Sequence, residues 1–347
     1  MASTRVAVLG TGANGAAIGA DLTRAGLDVT LIEQWPAHVQ AMRADGVRVE
    51  HDGGEIEITP VRVHDLCEVA TLRQPFDVVL MLVKAYDSRW AAELIRPLVA
   101  PDGLVAGVQN GMTTSDIGEV VGEHRTVGAV IEISGTMRDP GVVLRHTDRA
   151  QSWFAVGDPF GRLDGRERLV AGVLAHSGRV THVDDILGTK WMKLVSNSTT
   201  LVTTAITGLP MIDAAEIPGV LDVMLEAGRE TVRVGRALGH PVLPIFGLTA
   251  ADVADVDRVA ETLHGILYRD FTKPGATTTV LQDWRKGRRG EAGQLNGAVS
   301  ALGREHGVPT PVNDAVTEIA ARIESGRLAP GAEATRRMLA VLDAQTA

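Results

Sequence analysis

Apolar positions along this chain change rhythm once. Up to about residue 184, short runs of branched apolar residues alternate with stretches in which apolar positions recur every three or four residues. Period-two runs predict strands and period-3.6 stretches predict helices. The predicted strands cover residues 5–9, 28–32, 76–83, 104–108, 126–133, 141–144, 152–156 and 179–183. Helical spacing follows Gly15 (Ile18, Leu22, Ala25) and covers 37–44, 91–98 and 167–175, with Pro101-Asp102-Gly103 as a stop. Alternation on either side of Asp52-Gly53-Gly54 predicts a hairpin pairing 47–50 with 55–58. From Asp184 the strand pattern ends. Helical patterns then run to the tail, broken at Gly208-Leu209-Pro210, Leu238-Gly239-His240-Pro241, Lys273-Pro274-Gly275 and His306-Gly307-Val308-Pro309. The Ala-rich tail from Pro330 predicts one more helix. Strand–helix alternation implies a parallel sheet covered by helices. The expectation is an α/β doubly wound sheet in residues 1–184, then an all-α domain in residues 185–347.

The first strand runs straight into Gly10-Thr11-Gly12-Ala13-Asn14-Gly15, and the second ends in Glu33. Strand, G-x-G-x-x-G, helix, strand and acid, in that order, describe a Rossmann-type dinucleotide-binding unit. Gly10 permits the tight turn. Gly12 lets the backbone approach a pyrophosphate, and Gly15 lets the helix pack close to the strand. The amides from Thr11 to Gly15 then face the phosphates at a helix start, where the dipole favours negative charge. On its own the motif also suits a glycine-rich turn in another α/β protein. In open parallel sheets ligands bind beyond the carboxyl ends of the strands. That predicts a crevice formed by 10–15, Lys84-Ala85-Tyr86-Asp87 and Gln109-Asn110-Gly111-Met112.

Composition narrows the partners. The chain has 347 residues, enough for two domains, and a net charge of −9. Arg285-Lys286-Gly287-Arg288-Arg289 is its one basic patch. Nucleic-acid binding needs a concentrated basic face, so the patch is expected to be a solvated helix face or an anchor for a small anion. The single cysteine, Cys67, cannot form an intramolecular disulfide and has no metal-type spacing. It is expected to be a buried small apolar residue in a reducing compartment. No signal-peptide pattern precedes the first strand, and the apolar runs are too short to span a bilayer. The expected location is the cytoplasm, with no membrane partner. The histidines form no H-x-x-x-H pattern, and neither G-x-S-x-G nor a Walker lysine motif occurs, so no metal is expected. Apolar faces in the helical half suit either a homodimer or a monomer's interior.

Candidate chemistry lies in the helical half. Lys193 and Asn197 are four apart in Trp191-Met192-Lys193-Leu194-Val195-Ser196-Asn197, so on a helix they share a face. A lysine beside a nicotinamide can protonate a carbonyl oxygen as hydride arrives. The same spacing suits a surface lysine on an amphipathic helix. Leu281, Trp284, Arg288, Glu291 and Leu295 follow a helical stripe over 281–301. Glu291 on that packing face can hold a substrate hydroxyl or orient the lysine, or pair with Arg288 or Lys286 at a rim.

Taken together, these segments resemble the ketopantoate reductases (2-dehydropantoate 2-reductases). The matching pieces are G-T-G-A-N-G at Gly10–Gly15, L-V-K-A at Leu82–Ala85, Q-N-G-M at Gln109–Met112 and W-M-K-L-x-x-N at Trp191–Asn197. They continue with L-Q-D at Leu281–Asp283, E-x-x-x-x-N-G at Glu291–Gly297 and H-G-V-P-T-P at His306–Pro311. The resemblance implies a Rossmann domain, a helical domain, a cleft between them and an NAD(P)H-dependent oxidoreductase. It implies Lys193 as general acid and Glu291 as the group that binds the substrate hydroxyl and supports the lysine. Asn110 would position substrate or nicotinamide, Lys84 would contact cofactor, and Asn197 would line the substrate pocket.

Two departures shift the expectations. Where the family often carries an arginine for the 2′-phosphate of NADPH, this chain has Glu33-Gln34. A carboxylate there accepts from ribose hydroxyls and repels a phosphate, which favours NAD(H). Arg43 is the nearby residue that would keep NADP(H) open. Leu201 stands where the family usually has a further asparagine, and Thr279 where it commonly shows a serine. The expected substrate is a small carbonyl or alcohol compound, either ketopantoate itself or a related, less polar 2-oxo acid or ketone. A dehydrogenase oxidising another secondary alcohol or hydroxy acid, and a non-catalytic NAD(H)-binding sensor, are the alternatives.

Overall fold

The protein, described here from a computed structural model, is defined over residues 4–346. It divides into two compact units at Leu187/Gly188. The α/β and helical character expected of the two halves is what the chain adopts.

The first unit runs β1 (Arg5–Leu9), α1 (Ala13–Arg24), β2 (Asp28–Glu33), α2 (Pro36–Asp45), β3 (Val47–His51), β4 (Ile56–Thr59), β5 (Val63–Asp65) and β6 (Phe76–Met81). It continues with α3 (Ser88–Ile95), β7 (Val99–Gly107), α4 (Thr114–Val121), β8 (Thr126–Glu132), β9 (Gly135–Asp139), β10 (Val142–Arg145), β11 (Trp153–Gly157), α5 (Glu167–Leu174) and β12 (Arg179–His182). Eight strands form one sheet in the order β12-β11-β8-β7-β6-β1-β2-β5. All neighbours are parallel except β8 and β11. The central strands are apolar on both faces because helices cover both; Val6, Ala7, Val8, Val78, Val79, Leu80 and Val105 are fully buried. Chain order reverses across β1, where the strands following on one side are β2 and β5 and on the other β6 and β7. That switch point is where an open parallel sheet leaves a crevice.

The hairpin β3–β4 leaves this sheet. It pairs with β10 and β9 in a second sheet of order β4-β3-β10-β9. Helix α1 is tied to the adjoining β10–β11 segment by a buried ion cluster. Asp21 accepts from Arg145 Nη1 (2.6 Å), Arg149 Nε (2.9 Å) and Ser177 Oγ (2.6 Å). Arg145, also buried, donates to Ser152 Oγ and to the carbonyls of Thr147 and Ser177.

Several local expectations are corrected. Strand β7 starts at Val99 rather than 104, so Pro101-Asp102-Gly103 lies within a strand. A register irregularity between Phe76 and Val78 in its pairing with β6 takes up the misfit. Helix α4 and the short strands β5 and β9 had no clear periodic signal. Cys67 is exposed, not buried. It sits on a 3-10 turn (Leu66–Thr71) closed by a reciprocal Asp65–Glu68 cap, and only Val69 of that turn is buried.

The second unit is helical: α6 (Ile186–Thr207), α7 (Met211–Ala215), α8 (Val220–Ala237), α9 (Ala250–Ala254), α10 (Val259–Asp270), α11 (Thr279–Arg285), α12 (Asn296–Glu305), α13 (Pro311–Glu324) and α14 (Ala332–Thr346). The continuous helix expected over 281–301 is interrupted. Gly287 at φ 66° ends α11, with Arg288 N bonding back to Asp283 O at 2.8 Å. This is the left-handed glycine cap that satisfies the last carbonyls of a helix. Glu291 therefore lies before a 3-10 turn (Ala292–Gln294), not on a helix face.

Helix α6 is rich in hydroxyls yet buried. The hydroxyls of Thr199, Thr203 and Thr204 each bond to the carbonyl four residues back, at 2.6–2.8 Å. A threonine satisfied this way can be buried without an outside partner. Trp191 fixes the helix's start: its Nε1 donates to Thr231 O at 3.0 Å and its ring stacks on His240 at 5.1 Å. Gly235 makes room, since a Cβ there would lie 2.0 Å from Trp191 Nε1.

Candidate active site

The glycine-rich loop of the first unit has three glycines under three different constraints. Gly10 sits at φ 90°, and a Cβ would lie 2.5 Å from Val83 N. A Cβ on Gly15 would lie 2.1 Å from Gly10 O. Gly12 is exposed and would meet nothing within 4 Å. The outer glycines let the chain pack on itself, and the middle one borders open space at the start of α1. Ala13 and Asn14 begin that helix, and Asn14 Oδ1 is buried without a hydrogen-bond partner. Free backbone donors at a helix start and a glycine facing open space suit a dinucleotide pyrophosphate.

Glu33 is drawn into this loop. One carboxylate oxygen accepts from Thr11 N and Thr11 Oγ1, both at 2.8 Å. The other accepts from Gln34 N and Trp35 N, both at 2.9 Å. Four donors use the acceptor capacity of a carboxylate, so Glu33 braces the loop with bonds the sequence had assigned to ribose. His38 holds the other side of Thr11. Its Nδ1 accepts from Gly141 N at 2.7 Å, so Nε2 carries the proton and donates to Thr11 O at 2.8 Å. Arg43 lies against Glu68 and the carbonyl of Val63.

The other two predicted loops leave β6 and β7 beside it. They are linked through Gln109 Nε2, which donates to Ser88 Oγ at 2.8 Å, while Ser88 Oγ donates to Ala85 O at 2.7 Å. Half-buried Lys84 and Asn110 flank that link. The first unit thus brings Thr11 and Glu33 together and ties the Lys84 and Asn110 loops to each other.

In the second unit Lys193, Asn197 and Leu201 form one row along α6, at intervals of four. Between residues 191 and 206, Lys193 and Leu201 alone are half-exposed, and all others are buried. Lys193 Nζ lies 5.1 Å from the centroid of the Phe246 ring. Phe246 was invisible to periodicity because it lies in an irregular segment. Its backbone is left-handed at φ 56°, a conformation that costs a bulky residue about 1–2 kcal/mol. Thr279 opens α11, and its Oγ1 is buried with no hydrogen-bond partner.

Glu291 is buried. Its segment is joined to α6 through Asn296, whose Nδ2 donates to Ser198 O at 3.0 Å and Asn313 Oδ1 at 2.8 Å. Asn313 Nδ2 in turn donates to Glu230 Oε2 at 2.7 Å, and Glu230 accepts from the amides of Val312 and Asn313 at the start of α13. Burial pushes the Glu230 carboxyl upward against those three donors. This network was missed because its members lie far apart along the chain, from Ser198 to Asn313.

Lys190, one turn before Lys193, was also missed. It is buried, and desolvation lowers its ammonium to about 8. Among the described residues, no helix is long and apolar enough to cross a membrane, and no three His, Cys, Asp or Glu residues cluster as metal ligands.

Comparison with known proteins agrees with this geometry. The profile described as ketopantoate reductase PanE/ApbA matches residues 6–159, and that of its C-terminal part matches residues 185–324. A 2-dehydropantoate 2-reductase of Archaeoglobus fulgidus is 26% identical over 328 residues, covering 93% of this chain and 98% of the relative. The crystal structure of a PanE/ApbA family ketopantoate reductase from Ralstonia eutropha superposes with a TM-score of 0.76 at 30% identity, covering 93% of this chain and 99% of that one. A D-mandelate dehydrogenase solved with NADH and anilino(oxo)acetate shares the fold at a TM-score of 0.80 and 22% identity, covering 93% and 99%. The chain belongs to the ketopantoate reductase family of nicotinamide-dependent oxidoreductases.

Proposed function

We propose that this enzyme reduces the carbonyl of a 2-oxo acid with NADH, with Lys193 as the general acid. A bound nicotinamide would supply the hydride. The row of Lys193, Asn197 and Leu201 carries the reading: a proton donor, an amide and an apolar surface aligned on an otherwise buried helix. Lys193 delivers the proton to the carbonyl oxygen, and Asn197 lines the substrate. Glu291 supports the lysine and binds the hydroxyl of any substrate that carries one. The unpartnered hydroxyl of Thr279 is a donor for the substrate carboxylate. Gly12, Ala13, Asn14 and Gly15 cradle the pyrophosphate, while Gly10 and Thr11, whose own N–H groups are held by Ile32 O and Glu33, shape the loop behind them; Lys84 and Asn110 contact cofactor or substrate from the neighbouring loops.

The preference for NADH rests on charge. Glu33 places a carboxylate at the end of β2, where a 2′-phosphate would be repelled, and Arg43 is committed to Glu68. Leu201 in place of an amide favours a substrate with an apolar group there over ketopantoate. The same residues run in reverse on a 2-hydroxy acid, with Lys193 taking the proton.

The deciding experiment measures cofactor oxidation with ketopantoate and a panel of branched and aromatic 2-oxo acids, using NADH and NADPH in parallel. NADH is expected to support the faster rate, and an apolar 2-oxo acid to exceed ketopantoate. Lys193→Ala should lose about 100-fold or more in turnover, the usual share of general acid catalysis. A variant with unchanged turnover would remove Lys193 from the proton step.

A further inference from the structure

Among the described residues, two other than glycine have left-handed backbone: Asp164 at φ 53° and Phe246 at φ 56°. Asp164 precedes Gly165 in a turn and is of a type that tolerates this region. Phenylalanine is not, and such a residue persists only where its surroundings impose it. The imposition is visible. Gly247 follows at φ 88°, and a Cβ there would press on Ile266 of α10 at 3.2 Å. Leu248 is buried, and its N–H closes the turn onto Ile245 O at 3.1 Å. Ring burial does not account for the strain, because Phe246 is only half-buried. What the turn delivers is a ring whose centroid lies 5.1 Å from Lys193 Nζ, within the range at which an ammonium is attracted to an aromatic ring.

We propose that Phe246 is a positioning residue for proton transfer: its strained backbone presents an aromatic ring that holds the Lys193 ammonium in place. This rests on the assignment of Lys193 as general acid. A lysine head on a four-carbon stem samples many rotamers. Attraction to the ring restricts that sampling at the end that must meet the carbonyl oxygen. The ring acts through the lysine, so its loss should appear in kcat and not in substrate affinity.

The test compares Phe246→Tyr, Phe246→Leu, Phe246→Gly and Lys193→Ala by kcat, KM and thermal unfolding, using NADH and the 2-oxo acid turned over fastest in the panel. Phe246→Tyr keeps the ring and should retain wild-type kcat. Phe246→Leu keeps apolar bulk without the ring and should lose about 10-fold in kcat, with KM unchanged. Phe246→Gly relieves the backbone, so its melting temperature should hold or rise while kcat falls as for leucine. Wild-type kcat in Phe246→Leu alongside an impaired Lys193→Ala would overturn the role of the ring alone. A loss in Phe246→Leu seen only as raised KM, or only together with lost stability, would also overturn it. Wild-type turnover in Lys193→Ala would overturn the lysine assignment and this proposal with it.

Discussion

The glycine-rich loop of the first unit and the lysine row of the second are built in opposite ways. The loop is made of backbone. Its geometry follows from glycines five residues apart at most, and its braces, Glu33 and His38, come from the next strand and helix. The lysine row depends on side chains brought from far along the chain. Asn296, Asn313 and Glu230 fix the Glu291 segment against α6, Trp191 and His240 fix the helix start, and Phe246 touches the lysine itself. A backbone site fails through close approach of atoms, and a side-chain site fails through lost partners. The two kinds of failure separate by experiment.

The largest effect is expected at Gly15. Alanine there puts a Cβ 2.1 Å from Gly10 O, with backbone and not a flexible side chain in the way. Gly15→Ala should cost about 3 kcal/mol or more in stability and raise the Kd for NADH by about 100-fold or more. Gly12→Ala is the contrasting case. Its Cβ meets no protein atom, so the melting temperature should not move, while NADH binding weakens by about 10-fold or more. Calorimetric unfolding and NADH titration separate the two. Undiminished NADH binding by Gly12→Ala would mean that the pyrophosphate does not approach this glycine.

The same contrast explains what could be read from the sequence. The strands, the glycine loop and the end of β2 at Glu33 are written in local patterns, and so is the spacing of Lys193, Asn197 and Leu201 on one helix. The stripe from Leu281 to Leu295 was read wrongly because Trp284, Arg288 and Glu291 keep helical spacing across a break. The sign of the break was the pair Gly287 and Gly290, which a count of apolar positions passes over. Cys67 was misplaced because a small apolar residue carries no signal of its own; it lies on a 3-10 turn of which only Val69 is buried. Phe246, Lys190 and the Asn296–Asn313–Glu230 network left no trace in periodicity. Each acquires its meaning from a contact made only on folding.

Lys190 tests the side-chain half by pH. Burial lowers its ammonium from 10.5 to about 8 in the folded chain. Between those values the unfolded chain binds the proton more tightly, so stability rises as pH rises through that window. The expected gain from this residue is on the order of 2 kcal/mol between pH 8 and 10. Above pH 10 Tyr268, whose hydroxyl burial pushes above its ordinary value, acts in the opposite direction. Denaturant unfolding across pH 7–10 should show the rise in the native chain and lose it in Lys190→Met. An identical slope in that variant would mean that Lys190 is hydrated in solution.

The smallest effect separates substrate choice from catalysis. Leu201 is half-exposed at the end of the row that begins with Lys193, so replacing it need not disturb the core. An asparagine there restores an amide that can pair with a polar substrate group, and it removes an apolar surface. Sites with matched hydrogen-bond partners discriminate strongly, whereas apolar contacts discriminate weakly. Leu201→Asn should therefore raise kcat/KM for ketopantoate by about 10-fold and lower that for the best apolar 2-oxo acid by a similar factor. Turnover at saturation should change less, because Lys193, Asn197 and Glu291 are untouched. The ratio of the two kcat/KM values is the quantity to follow, since a general loss of stability lowers both together. A ratio that stays where it was would place the specificity wall elsewhere in the helical unit, beginning with the unpartnered hydroxyl of Thr279.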